Sequence, residues 1–384
     1  MYKVFNKSEG DAYDAIARQA YGTPERAGDI AKINNNIKSG QVVAYIDKGD
    51  AKQPEKKEVC LVVGDESYTD FPEYSLLDGL AQVRGAVFVY NKTDVEYNFK
   101  IGDDAFVFDE DGLFIKGYVA NVTNALNRSA NWSQVEIKSL AGVMVDSDMP
   151  YPQEFTSLSV KSILSELAAA YNQSIEFSNE LELDEVFQNE IGTSFASLNA
   201  EKVWEFMARI CSSRGLLLTD TGNGLFVGRY KANTEEKLNL IDGECLGVQE
   251  MRLVARGDGL ARYYEINSQY PETASATVSI PFPVPIIKRF NSNDYNAKDL
   301  ESVGARIACS EIGKHFKLLV RLSENKQLRS GSFAVVKNEK IKIFKETDFV
   351  IERVERKHPD TTLLVMTLPC AYTYEIPGEL PQCS

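Results

Sequence analysis

The chain has 384 residues, of which 43% are hydrophobic and 10% aromatic, too long for one ordinary domain and rich enough for several buried cores. A net charge of −14 and a pI near 4.9 argue against a protein that grips nucleic acid, because neutralising phosphate takes surplus Lys and Arg. With 26% charged residues and a mean hydropathy of −0.26, no stretch approaches the roughly 18 apolar residues of a membrane span. The N-terminus Met1-Tyr2-Lys3-Val4-Phe5-Asn6-Lys7 turns polar at once, so no signal peptide and no membrane insertion are expected, and the chain should begin in a cytoplasm.

The first 46 residues read as a β-α-α-β unit. Tyr2–Phe5 forms a short strand, and Tyr13, Ile16, Ala17 and Ala20 fall at helical spacing. Thr23 caps a second helix with Pro24 at its first position, Ala27, Ile30, Ala31 and Ile33 form its apolar stripe, and Gly40–Ile46 returns as a strand. Residues 47–57 are charged, contain Gly and Pro, show no periodicity, and read as a linker.

From 58 to about 150 the sequence is strand-rich: Val59–Val63, Ala86–Tyr90, Gln134–Ser139, and a hairpin in which Asp104–Phe108 and Leu113–Val119 flank the turn Asp109-Glu110-Asp111-Gly112. Short strands at this spacing predict a barrel or sandwich. The acidic turn lacks the spacing of a calcium loop and reads as a solvated hairpin tip.

Residues 151–235 read as a small α+β domain. Val160, Ile163, Leu164, Leu167 and Tyr171 form one helix face with Ser159 as N-cap and Leu158 placed to staple onto Ile163. A second helix is expected with Leu198 ahead of it, Asn199 as its cap, Val203, Met207 and Ile210 along it, and Gly215 ending it. A hairpin around Asp220–Gly224 follows. Residues 236–375 return to strands at Tyr263–Ile266, Phe333–Val336, Phe349–Val354 and Thr361–Leu368. A loop marked by Pro281, Pro283 and Pro285 and a helix from about Asn296 to His315, burying Leu300, Val303, Ile307 and Ile312, interrupt them; 376–384 is a tail.

Candidate chemistry is sparse. Six cysteines (Cys60, Cys211, Cys245, Cys309, Cys370, Cys383) are scattered without a C-x-x-C pair, and His315 and His358 are the two histidines, so no metal or cofactor is expected and the thiols read as buried and reduced. No catalytic residue emerges. G-x-S-x-G and P-loop motifs are missing, and no Cys–His arrangement shows a family signature. Carboxylate pairs such as Asp103 and Asp104, or Asp109 and Asp111, sit in turns and read as solvated. Trp204 reads as core and Trp132 as a barrel or interface anchor. The Asn-x-Ser/Thr sites at Asn91, Asn121, Asn127 and Asn131 carry no meaning without a secretory route.

Two resemblances organise these readings. Gly10-Asp11-Ala12-Tyr13, Ile16-Ala17, Tyr21-Gly22, Ile33-Asn34 and Gly40-Gln41-Val42-Val43 resemble a LysM domain. LysM domains bind N-acetylglucosamine polymers such as peptidoglycan, and similar modules serve as protein–protein adaptors in phage tails; no individual contact residue carries over. Over 58–375, the order of elements resembles the baseplate hub proteins of Mu-like contractile phages and the hub half of type VI secretion spikes. Phe114–Val119 is similar to the first barrel's glycine-containing strand, and Lys138–Ser147 to the stretch closing that barrel. Val203–Cys211 running into Arg214–Leu218 is similar to the middle domain's helix and strand, and Leu363–Tyr372 to the final strand.

This resemblance implies an α+β multidomain chain: a βααβ LysM-like domain (1–46), a linker (47–57), two β-barrel domains (58–150 and 236–375) with an α+β domain between them (151–235), and a tail (376–384). It implies a non-enzymatic homotrimer whose two barrels per subunit make a pseudo-sixfold ring joining a sixfold tail tube to a threefold central spike. Its partners would be the spike, the tube, and wedge or sheath-initiator proteins; DNA would pass only as cargo, through a lumen that acidic residues could line. Peptidoglycan contact through residues 1–46, or cell-wall degradation by a carboxylate pair guided by that module, is the alternative.

Overall fold

A computed structural model describes residues 2–7, 12–34, 40–45, 59–64, 66–91, 99–126, 131–156, 158–182, 187–188, 194–231, 233–241, 247–268, 273–291, 300–323 and 328–381. The linker 47–57, the Gly10-Asp11 turn, Cys245, Cys383, Asn127 and the helix start at Asn296 lie outside them. The chain divides into two compact units: Met1–Ser75, Arg84–Gly142 and Thr221–Asn223 form the first, and Leu76–Val83, Val143–Asp220 and Gly224–Ser384 the second.

In the first unit, β1 (Tyr2–Lys7), α1 (Tyr13–Tyr21), α2 (Ala27–Ile33) and β2 (Gly40–Tyr45) follow the sequence-derived βααβ order, β1 pairing antiparallel with β2. Gly22 at φ 78° ends α1 in the left-handed conformation. Thr23 accepts a hydrogen bond from Glu25 N and Pro24 opens a short 3₁₀ turn, both at the expected places. Ile16, Ala17, Ile30 and Val42 are the small core of this module.

The same unit holds β3 (Cys60–Val63), β4 (Glu66–Tyr68), the start of β5 (Glu73–Gly79), β6 (Gly85–Asn91), β7 (Asp104–Asp109), β8 (Gly112–Leu126) and β9 (Asn131–Ser139). An antiparallel run orders them β6-β9-β8-β7-β3-β4. Ser133, Val135, Ile137 and Ser139 of β9 are buried while Trp132, Gln134, Glu136 and Lys138 are half-buried, the period-two alternation of a strand with one face on the core. Cys60, Val62, Phe106, Phe108 and Leu113 cluster, and Ile33 of α2 packs against them. Gly117 sits where β8 crosses β9 so closely that a Cβ there would lie 1.9 Å from Lys138 O.

In the second unit, α3 (Gly142–Asp146), β10 (Glu154–Thr156), α4 (Val160–Ala170), β11 (Ile175–Phe177), α5 (Asn179–Glu182), β12 (Ser194–Ala196), α6 (Val203–Ser213), β13 (Leu217–Asp220) and β14 (Leu225–Gly228) make up the middle of the chain. β10 pairs with β12, and β11 lies parallel to β14, which pairs antiparallel with β13. Ser159 caps α4, accepting from Ser162 N at 3.1 Å.

The cap expected at Asn199 is not formed. Ala200 takes φ 58°, Glu201 N donates to Leu198 O, and α6 starts at Val203 behind Lys202, whose N–H donates to Glu205 at 3.2 Å. Leu198, read as lying ahead of a helix cap, is instead 57% exposed. The physical reason is the Glu201 carboxylate. It accepts Leu198 N at 2.8 Å and so closes residues 198–201 into a turn of their own.

The remainder is β15 (Asn233–Ile241), β16 (Val248–Ala255), β17 (Tyr263–Ser268), β18 (Ala274–Ser279), β19 (Ile287–Asn291), α7 (Leu300–His315), β20 (Phe316–Leu322), β21 (Ser332–Asn338), β22 (Ile343–His358), β23 (Thr361–Thr367) and α8 (Cys370–Thr373). β16-β20-β23-β22-β21-β15 belong to one sheet, in which β22 also neighbours β5, and pair antiparallel except for the parallel pair β15–β21; β18-β17-β19 is another. α7 buries Leu300 and Val303 against Ile266 of β17, and Gly304 allows this approach, since a Cβ there would meet Val278 Cγ2 at 2.7 Å. Ala308, Cys309 and Ile312 lie in a larger core with residues of the first of these sheets and Cys370.

Candidate interaction surfaces

The residues that could have carried chemistry are dispersed. His315 ends α7 and His358 ends β22; the described cysteines Cys60, Cys211, Cys309 and Cys370 are buried and unbridged. Burial pushes the Cys60 and Cys211 thiols up to about 12, far from thiolate chemistry at neutral pH. No group of three or more metal-ligating side chains occurs among the described residues, nor any helix long and apolar enough to cross a membrane.

The acidic hairpin needs one correction. Asp104 and Asp111 are exposed, but Asp109 is only 5% exposed and accepts the Asp111 N–H at 3.0 Å. Its side chain is therefore folded into the turn, where the short Asp carboxylate mimics a backbone carbonyl and organises the hairpin. Asp103 does likewise for the Lys100 N–H at 3.0 Å. Trp204 is buried in α6, as expected, and Trp132 on β9 is half-buried.

What the second unit offers instead is surface. From Ile280 to Ile287 the chain runs through two tight three-residue turns, with Phe282 N donating to Ile280 O at 2.7 Å and Ile286 N to Val284 O at 2.8 Å. Val284, Ile286 and Ile287 are exposed in succession along it. Pro281, Pro283 and Pro285 have no N–H to donate; Ile280 is buried and Phe282 packs against the core, while Val284, Ile286 and Ile287 stay outside.

Each outer strand of the two sheets is an open edge among the described residues. β16 pairs with β20 alone, β15 with β21 alone, and β18 and β19 with β17 alone. β16 and β19 carry charges that discourage stray pairing, whereas Ala274-Ser275-Ala276-Thr277-Val278-Ser279 of β18 carries none. The alternation of small and polar residues in β18 was a readable strand signal; its position at an edge was not.

The N-terminal module carries two half-buried cation–aromatic pairs. Lys7 Nζ stands 4.1 Å from the Tyr13 ring centre, and the Arg26 guanidinium 4.5 Å from that of Tyr21.

Comparison with known proteins gives a family match in the middle of the chain. Residues 141–229 match the model described as baseplate hub protein gp44-like, second domain. No curated protein matches the chain. Among solved structures, the 43 kDa tail protein of prophage MuSo2 from Shewanella oneidensis is similar at a TM-score of 0.68 and 17% identity, over 84% of this chain and 100% of that one. A tail protein from Neisseria meningitidis MC58 gives 0.67 and 16%, over 84% and 99%. The Escherichia coli c3393 protein, a type VI secretion component described as similar to T4 tail proteins gp27 and gp5, gives 0.51 and 10%, over 80% and 76%. The fold is thus the mixed, mostly β fold of phage tail proteins.

Proposed function

We propose that this chain is the structural hub of a contractile tail baseplate, located in the virion and acting without catalysis. The observation that carries the reading is the hub-family match over residues 141–229, which falls inside a fold shared with tail proteins over 84% of the chain. A family model read from sequence and a likeness read from coordinates are separate lines of support. The family match favours baseplate proteins as partners, and the likeness to a type VI secretion component favours spike proteins.

The finer reading is a ring of three copies with two barrel domains in each, which adapts a sixfold tube to a threefold spike. In a closed ring every subunit presents one surface and receives another, so each contact is heterologous. The open edges of β16 and β18 and the exposed Val284–Ile287 run are the surfaces such contacts would cover. The N-terminal βααβ module acts as a LysM-like adaptor that clamps the hub to neighbouring baseplate proteins; its compact core supports a rigid docking module.

Light scattering after size exclusion, across a concentration series and with the spike protein added, tests the proposal. A species near three times the 42.8 kDa chain mass, alone or with the spike, is expected. A strict monomer under both conditions overturns the ring.

A further inference from the structure

Cys309 on α7 and Cys370 at the start of α8 lie in the same core of the second unit, near enough for each thiol to act on the other. The two helices meet closely: a Cβ on Gly313, one turn after Cys309, would lie 2.5 Å from the Ala371 Cβ. Thr367 Oγ1 donates to Gly313 O at 3.0 Å and fixes the same junction. The pair is not sealed on every side. A groove of about 1010 Å³, bounded by Lys342–Asp348 and by the C-terminal segment Glu375–Pro381, has Cys370 in its wall, with Phe344, Ile376 and Leu380 beside it. Cys309 lies in the core, and Cys60 and Cys211 do not line this groove.

We propose that Cys309 and Cys370 are an oxidisable dithiol, closed to a disulfide by small-molecule disulfides such as glutathione disulfide that reach Cys370 through this groove. The neighbouring Cys309 thiol holds the Cys370 thiol below its ordinary range against the opposing effect of burial, and the same neighbourhood raises Cys309. Cys370 is therefore the attacking sulfur. Its thiolate breaks the S–S bond of glutathione disulfide, forming a mixed disulfide and releasing one glutathione, which takes up the Cys370 proton. Cys309 then gives up its proton and attacks the Cys370 sulfur, expelling the second glutathione. Two protein thiols and one glutathione disulfide become one protein disulfide and two glutathione molecules. The bond ties α7 to the start of α8, just ahead of the C-terminal segment, so it fastens that segment when the chain meets an oxidising medium. This inference is independent of the hub reading, since it concerns one chain alone.

The test uses the full chain, incubated natively with excess glutathione disulfide, quenched in acid, alkylated and mapped by mass spectrometry. The expected result is loss of two alkylatable thiols and a Cys309–Cys370 linked peptide, with Cys60 and Cys211 still free. In Cys309→Ser, Cys370 should instead carry glutathione. Free thiols at both positions in the treated native chain overturn the proposal. So does a link from Cys370 to Cys383, or a Cys309–Cys370 link that forms only in urea. The mapping on the unaltered chain decides the matter even if the variant fails to fold.

Discussion

Arg209 and Glu201 meet as a two-toothed ion pair: Nε lies 2.7 Å from Oε1 and Nη2 3.0 Å from Oε2. The same Nη2 donates to Ala196 O at 2.8 Å, and the same carboxylate accepts Leu198 N at 2.8 Å. One side-chain pair therefore ties β12, the 198–201 turn and α6 together, within the stretch that matches the hub family. The carboxylate end is buried, with 6% of its side-chain surface exposed against 26% for the arginine, so removing the arginine strands a desolvated charge. Arg209→Ala should cost about 2–3 kcal/mol in urea unfolding, the range for hydrogen bonds to a charged group. A loss under about 0.5 kcal/mol, the level of an exposed pair, would count against this role.

Acid should undo the same junction. Burial pushes the Glu201 carboxyl up, but the hydrogen bonds from Arg209 and Leu198 and the Arg209 charge outweigh it and leave it below its ordinary value. A carboxyl lowered in the folded state contributes stability that is present above its unfolded value and lost as pH falls through the folded value. Urea midpoints should therefore fall below about pH 4.5, the ordinary glutamate range. They should fall less steeply in Glu201→Gln. Parallel curves for the two proteins would show that Glu201 does not contribute to the acid loss.

Gly117 predicts a backbone failure in the first unit. Its missing side chain makes room for Lys138 O, and a backbone oxygen cannot swing aside as a side chain can. Gly117→Ala should destabilise by about 1–3 kcal/mol, as overpacking does. Gly64→Ala has no neighbour within 4 Å but sits at φ 59°, so its loss should reflect backbone strain alone and amount to about 1 kcal/mol. Equal thermal shifts in the two variants would show that the β8–β9 crossing is not as tight as described.

Ser159 offers a smaller and cleaner case. Its hydroxyl satisfies Ser162 N at the open end of α4, and Ser159→Ala should cost about 1 kcal/mol, readable as a lowered unfolding midpoint with an unchanged slope.

In the proposed ring, self-association should depend on the Val284–Ile287 run. Val284→Asp with Ile286→Asp places two charges on residues that are already exposed, so folding should be unaffected while the light-scattering mass falls toward one chain. An unchanged oligomer mass would remove that run from the subunit contact.

Local signals explain what was legible in the sequence. Thr23-Pro24, Ser159 and the Asp109–Gly112 turn act within a few residues, and the structure forms each where the residues indicated. The α6 start was misplaced because Glu201 acts across the turn, through Leu198 N and Arg209, and no short window contains all three. Asp109 looked solvated because acidic turns usually are; its own loop N–H drew it inward. β16 and β20 went unread because Arg252, Lys317 and Arg321 interrupt their apolar residues, although these charges fall on alternate, more exposed positions. Cys309 and Cys370 meet across about sixty residues of sequence, and the groove is assembled from β22 and the C-terminal segment; neither leaves a local trace.

The three residues Thr221–Asn223 belong to the first unit although both flanking stretches belong to the second. There, Gly222 O accepts Lys116 N at 2.5 Å, Arg84 donates to both Thr221 O and Phe114 O, and Gly222 fits because it has no Cβ to strike Phe114 O. A gene fragment ending at residue 142 therefore encodes a sheet with a missing plug. Recombination that breaks between these segments would separate Lys116 from its acceptor. Exchange of parts in this protein is constrained to pieces that carry residues 84–116 and 221–223 together, however modular its linear order looks.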